Sequence, residues 1–375
     1  MATKKCIFIL IFLAAWQLSA FAQAPPRYFD TAGEPAGIIR LAVTNPLTGT
    51  LQDILALKEQ GFLPGKMELV GIYHAKEHPN YKEAQKFVLE HKLDWVHFHE
   101  ITAEIGPADL YRTNALSKEY AEIVRKSDGL ILFGGPDLPP AAYGDKTELL
   151  TVITNPYRHY MELSLVFHLL GGFQDPSFKG LLEGRPDFPV LGICLGEQTL
   201  NTGTGGTLIQ DIWADAYGRK YVEDVIAMGQ PNWHTNPWRK IFPVMRELLP
   251  YMLHPIRFAP GSKFIAEMGF KAGDQPYIMS AHHQAAGKIG KDFKVAATSL
   301  DGKVVEAIEH VRYRNVLGVQ FHPEFDMLWE TEPKHKMTPD DKDLFAVNAY
   351  LKAHAPSFEF HQKLWAWFVD RVKKR

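Results

Sequence analysis

Short apolar runs alternate along the chain with segments in which apolar residues recur every three or four positions. Residues 38–44, 67–73, 95–99 and 129–133 have the length and apolar density of strands. Residues 81–92 and 116–126, lying between them, carry helical spacing. That alternation predicts an α/β fold, with an open, mostly parallel central sheet and helices on both faces. A further strand and helix pair is expected around residues 189–200.

The rhythm then changes. Residues 264–267, 277–280, 293–299, 304–310 and 316–320 are short, closely spaced strand candidates, which predicts an antiparallel extension of the same sheet. Residues 340–353 and 358–373 return to helical spacing and should close over the core. Two stretches, near 171–187 and 219–253, read as insertions, the second rich in tryptophan and proline. Long loops of this kind serve either as lids and specificity elements or as plain surface decoration.

The first residues obey a different pattern. Lys4 and Lys5 precede a nearly unbroken apolar run from residue 6 to 18, and Ala20-Phe21-Ala22 has the small-x-small form of a cleavage site. The run is shorter than the roughly 20 residues that span a bilayer, so a signal peptide over 1–22 is expected rather than a membrane anchor. Residues 23–36 then form an entry segment, and 37–375 a single domain. The expected location is periplasmic or secreted, with no stable membrane association after cleavage.

Charge and cysteine content sharpen this outline. A formal net charge of -2 gives no general attraction to nucleic acid. Of two cysteines, Cys6 leaves with the signal and Cys194 remains. An unpaired thiol in an oxidising compartment is either an inert core residue or a reactive nucleophile.

Three local motifs favour the nucleophile. In PVLGICLGEQTL, residues 189–200, an apolar strand runs into Cys194, with Gly192 and Gly196 two positions to either side. This is the form of a nucleophile elbow, in which small flanking residues let the chain turn sharply from strand to helix. The helix N-terminus would favour the thiolate, and the Leu195 N–H would face the oxyanion formed on attack. In DGLILFGGPDLPP, residues 128–140, a strand ends in paired glycines, and Gly135 offers a second oxyanion donor. In NVLGVQFHPEFD, residues 315–326, a strand delivers His322 as acid and base, with Glu324 spaced to orient it. No metal is expected, because apart from adjacent His282 and His283 no compact pair has familiar ligand spacing.

Together these motifs resemble the class I glutamine amidotransferase superfamily, and within it the stand-alone γ-glutamyl hydrolase branch that includes γ-glutamyl-GABA hydrolase. The similarity runs over roughly residues 38–326 and extends to TNPYRHYMELSL, GTGGTLIQDI, HPIRFAPGSKF, SAHHQAA and TSLDGKVVEAIEH. It implies a flavodoxin-like sheet, a Cys194, His322 and Glu324 triad, an oxyanion hole from Gly135 and Leu195, and no cofactor. It also implies that Gln198, His282, His283 and Gln284 line the pocket of a small γ-glutamyl substrate. Self-association as a homo-oligomer stays open. Leu195 and His159 depart from that branch, which usually carries an arginine and an acidic residue there, so substrate preference is open. Two other readings remain: an amidotransferase subunit passing ammonia to a synthase, and a non-catalytic amino-acid-binding protein.

Overall fold

The computed structural model describes residues 26–77 and 81–373; the signal-peptide expectation lies outside them. Its strands are β1 (Ile39–Thr44), β2 (Met67–His74), β3 (Val96–Ile101), β4 (Gly129–Leu132), β5 (Val190–Ile193), β6 (Leu208–Ile209), β7 (Met252–Phe258), β8 (Tyr277–Ser280), β9 (Ala285–Ala286), β10 (Phe293–Ser299), β11 (Val305–His310) and β12 (Val316–Val319). Ten of them form one sheet in the order β3-β2-β1-β4-β5-β12-β11-β10-β7-β8. The half from β3 to β12 is parallel. From β12 onward each neighbour pairs antiparallel. The expected architecture is therefore the one present.

Both faces of the parallel half are covered. In β1, Leu41 and Val43 join one apolar core while Ala42 joins the other; in β4, Ile131 faces the first and Leu130 and Leu132 the second. Burial on two sides explains why these strands read as continuous apolar runs rather than alternating ones. The same effect hid the helix Pro156–Leu170, whose residues from Met161 to Leu170 are all buried, so it has no polar stripe to reveal helical spacing. Its start is nonetheless encoded locally: Asn155 Oδ1 accepts the Tyr157 N–H at 2.9 Å, and Pro156 occupies the first turn.

Several expected elements differ in kind or extent. Lys263–Glu267, within the expected strand at 264–267, is a short helix. Ser262 caps it, and Glu309 from β11 accepts the N–H groups of Lys263 at 3.0 Å and Phe264 at 2.9 Å, so a tertiary carboxylate completes the helix start. The segment taken as helical from residue 340 is helical only over Val347–Ala353. The insertion near 219–253 ends on β7, a strand with no clear alternation. The entry segment is partly built in: Phe29 is buried, and the Glu100 N–H donates to Pro26 at 2.7 Å.

The crossing between β5 and the helix Leu195–Gly203 is the tightest feature near the sheet centre. A Cβ on Gly196 would stand 2.0 Å from the carbonyl oxygen of Leu132 on β4. That oxygen belongs to backbone held in the sheet and cannot swing aside. Gly196→Ala is therefore expected to destabilise the fold by at least about 1–3 kcal/mol, the usual cost of overpacking, read as a lower denaturant midpoint. A variant as stable as the parent would show that this helix tolerates displacement.

Candidate active site

The site forms where β4, β5 and β12 end side by side. Open α/β sheets bind ligands at the carboxyl ends of their strands, and β5 is paired on one side with β4 and on the other with β12. Cys194 directly follows β5, and its N–H donates to Val319 of β12 at 2.8 Å. Its backbone has φ 52° and ψ -108°, a strained conformation for a residue with a side chain. Such strain at a strand-to-helix turn is what lifts a nucleophile clear of the sheet. The helix Leu195–Gly203 starts at the next residue, so its N-terminal dipole favours negative charge on the sulfur.

Three residues beyond β12, His322 stands within hydrogen-bonding contact of Cys194. Its Nδ1–H donates to Glu324 Oε1 at 2.7 Å, which leaves Nε2 to serve the thiol. The ring stacks on Phe325, centroids 4.1 Å apart and planes 8° from parallel. Trp365 Nε1 donates to the Pro323 carbonyl at 2.9 Å and holds the turn that carries both groups. Burial alone would lower the His322 pKa, but the charges of Glu324 and Cys194 override it and raise it to about 10. At neutral pH the ring is therefore an imidazolium beside the Cys194 sulfur.

Gly135 follows β4 on the other side of Cys194. A Cβ there would lie 1.9 Å from Arg158 Nη1 and 3.1 Å from Leu195 Cδ2, so only glycine fits between them. Arg158 is buried and fixes this turn, donating to the carbonyls of Phe133 at 2.6 Å and Gly134 at 3.1 Å, with Glu162 as its ion-pair partner at 2.6 Å. The Leu195 side chain is packed in the core. His159 is also buried, and burial together with the Arg158 charge lowers its pKa to about 3, so it is neutral.

The four remaining expected pocket residues separate into different surroundings. Gln198 is buried, and its amide donates to the Gln320 side chain at 3.0 Å and the Gln284 carbonyl at 3.3 Å, tying the nucleophile helix to the 281–286 loop. Gln284 reaches outward to the carbonyl of Gln210 at 3.1 Å. His283 sits between Asp137 at 3.0 Å and Asp211 at 3.3 Å. Burial opposes its protonation, yet the two carboxylates raise its pKa to about 9. His282 turns away from His283 and faces the buried Glu306.

Sequence reasoning did not single out Asp53, Asp137, Arg158 as a positioning group, or Glu306. Asp137 lay inside a motif already noted. Asp53, from the helix Thr48–Glu59, accepts the Asp326 N–H at 3.1 Å, and burial together with the nearby Glu324 charge raises its pKa to about 7.

A model of the Peptidase C26 family matches residues 69–324, a span that contains Cys194, His322 and Glu324. The chain belongs to this family of glutamine amidotransferase-like hydrolases. It is 31% identical over 229 residues to a putative glutamine amidotransferase of Mycobacterium tuberculosis, covering 61% of each chain. It is 29% identical over 221 residues to a putative glutamine amidotransferase-like protein of Rickettsia prowazekii, covering 54% of this chain and 73% of the relative. It is 26% identical over 206 residues to the γ-glutamyl-γ-aminobutyrate hydrolase of Escherichia coli K12, covering 55% of this chain and 67% of that enzyme. The Peptidase C26 match thus accounts for the α/β fold and the resemblance read from the motifs.

The imidazolium beside Cys194 has a direct consequence for reactivity. Iodoacetamide should alkylate Cys194 at a rate nearly independent of pH across neutrality, since the imidazolium persists until pH rises through about 10. Glu324→Gln removes the charge that raises His322, so the imidazolium is lost at lower pH. The rate at pH 7 is then expected to fall by about tenfold or more. A parent rate climbing steeply with pH across neutrality, as for a simple thiol, would rule out activation of Cys194 by this imidazolium.

Proposed function

We propose that this member of the Peptidase C26 family is an exported hydrolase of γ-glutamyl amide bonds that acts through a glutamyl thioester on Cys194. The observation that carries the reading is the contact between an elbow cysteine and a histidine held at 2.7 Å by Glu324, at the carboxyl ends of adjoining parallel strands. The name of the Escherichia coli relative supports the substrate class.

In the proposed reaction the Cys194 sulfur adds to the γ-carbonyl, and the oxyanion is held by the N–H groups of Gly135 and Leu195. The tetrahedral adduct collapses, the C–N bond breaks, and the amine leaves with the proton from His322. Water then gives a proton to His322 as its oxygen attacks the thioester, which releases the γ-carboxyl group and restores the thiolate. Glu324 holds the ring and stabilises its cationic form throughout. Nothing in this cycle requires a cofactor or a nucleic acid. Gln198, His282, His283 and Gln284 shape the pocket wall, with cationic His283 nearest the acidic pair Asp137 and Asp211.

Purified protein and Cys194→Ala should be incubated with a panel of γ-glutamyl amines, γ-glutamyl peptides and glutamine, then followed by mass spectrometry. The parent alone is expected to release glutamate and to show a glutamyl adduct on Cys194. Turnover of glutamine that depends on an added synthase would favour the ammonia-delivering reading, and binding without turnover a non-catalytic one. The same spectra test export: protein recovered from the periplasm or medium should begin at Gln23, and a chain beginning at Met1 would overturn the signal assignment.

A further inference from the structure

Away from the triad, four side chains from four separate segments converge in the interior. His234 comes from the tryptophan-containing insertion, His254 from β7, His282 from the loop after β8, and Glu306 from β11. One ligand atom from each lies within 4.8 Å of every other. His234 Nδ1 is 3.2 Å, and His254 Nε2 3.8 Å, from Glu306 Oε1; His282 Nε2 is 3.7 Å from Oε2. All four residues are buried, none more than 3% exposed.

Among the described residues, these facing atoms have no hydrogen-bond partner: Nδ1 of His234, Nε2 of His254 and His282, and both oxygens of Glu306. Leaving so many buried polar atoms unsatisfied is costly, about 1–3 kcal/mol for each. The tautomers are set from behind. His282 Nδ1 donates to the Gln284 carbonyl at 2.8 Å, and His254 Nδ1 to the Pro255 carbonyl at 3.3 Å. In each ring the inward Nε2 is therefore the one carrying a lone pair, the arrangement in which metal-bound imidazoles are held by carbonyls behind them.

We propose that His234, His254, His282 and Glu306 form a closed, architectural binding site for a divalent transition metal of the zinc class. Three imidazoles and one carboxylate suit such an ion. A tetrahedron with bonds of about 2.0–2.2 Å separates its ligand atoms by roughly 3.3–3.6 Å, so the observed spacing needs only a small contraction.

The site's position defines its role. A bound ion would fasten the insertion to the antiparallel half of the sheet through His234, whose carbonyl already accepts from Ser280 Oγ at 2.7 Å. It would also brace the 281–286 loop, because the Gln284 carbonyl that holds His282 also accepts from Gln198 on the nucleophile helix. Metal would thus set the pocket wall without touching the reacting atoms.

The test is elemental analysis of the full mature protein, in the parent and in Cys194→Ala, after growth with zinc and washing with EDTA. About one equivalent of zinc is expected in both, falling at least tenfold in Glu306→Gln and His234→Gln. In case those variants fail to fold, parent stripped with a strong chelator should lose thermal stability and regain it with Zn2+; Co2+ should give the visible absorption of a four-coordinate ion. Folded parent that holds no metal and gains no stability from Zn2+ or Co2+ would overturn the proposal. So would zinc that disappears in Cys194→Ala, since it would then belong to the catalytic thiol. Neither readout depends on hydrolysis, so the site and the γ-glutamyl activity can fail separately.

Discussion

The parallel pairing of β5 between β4 and β12 is the constraint on which the site depends. It aligns Ile193 with Val319, so that Cys194 and His322 emerge one and three residues beyond paired positions. On the other side it places the turn at Gly134 and Gly135 beside Cys194. A one-residue slip would send each side chain to the opposite face. Burial of both faces of β5 and its neighbours makes such a slip prohibitively costly.

Around this register the chain places groups that would be unstable alone. The strained Cys194 backbone persists because the sheet holds one side and a buried helix the other. Charges are arranged in sets: buried Arg158 with Glu162 behind the Gly135 turn, buried His322 with Glu324 beside Cys194, and half-buried His283 between two aspartates. Separating either of the two buried pairs would leave a buried charge uncompensated, which costs more than the pair itself contributes. These sets therefore hold the loops at the strand ends in single positions.

The antiparallel half serves a different purpose. It supplies β7, the 281–286 loop and β11, onto which the tryptophan-containing insertion is packed through Trp233 and His234, both buried. Trp233 Nε1 donates to the Val225 carbonyl within the insertion, and Asn236 bridges the carbonyls of Leu249 and Met337. Such bonds make the insertion part of the core rather than a surface ornament. The departures at Leu195 and His159 fit the same picture, since both side chains are buried as packing groups.

What the sequence determined by itself was local. A strand, a cysteine and a glycine in succession encode the elbow wherever they occur, and His-Pro-Glu after a strand encodes a histidine with its orienting carboxylate, because two residues of extended chain span that distance. Alternating apolar runs likewise carried the α/β layering. Tertiary structure decided whatever rests on groups distant along the chain. The helix Pro156–Leu170 escaped notice because it is buried on all sides, and Lys263–Glu267 became helical because Glu309 caps it from another strand. The convergence of His234, His254, His282 and Glu306 has no signature in spacing, because each lies on a different segment and only the fold of the antiparallel half closes the distance.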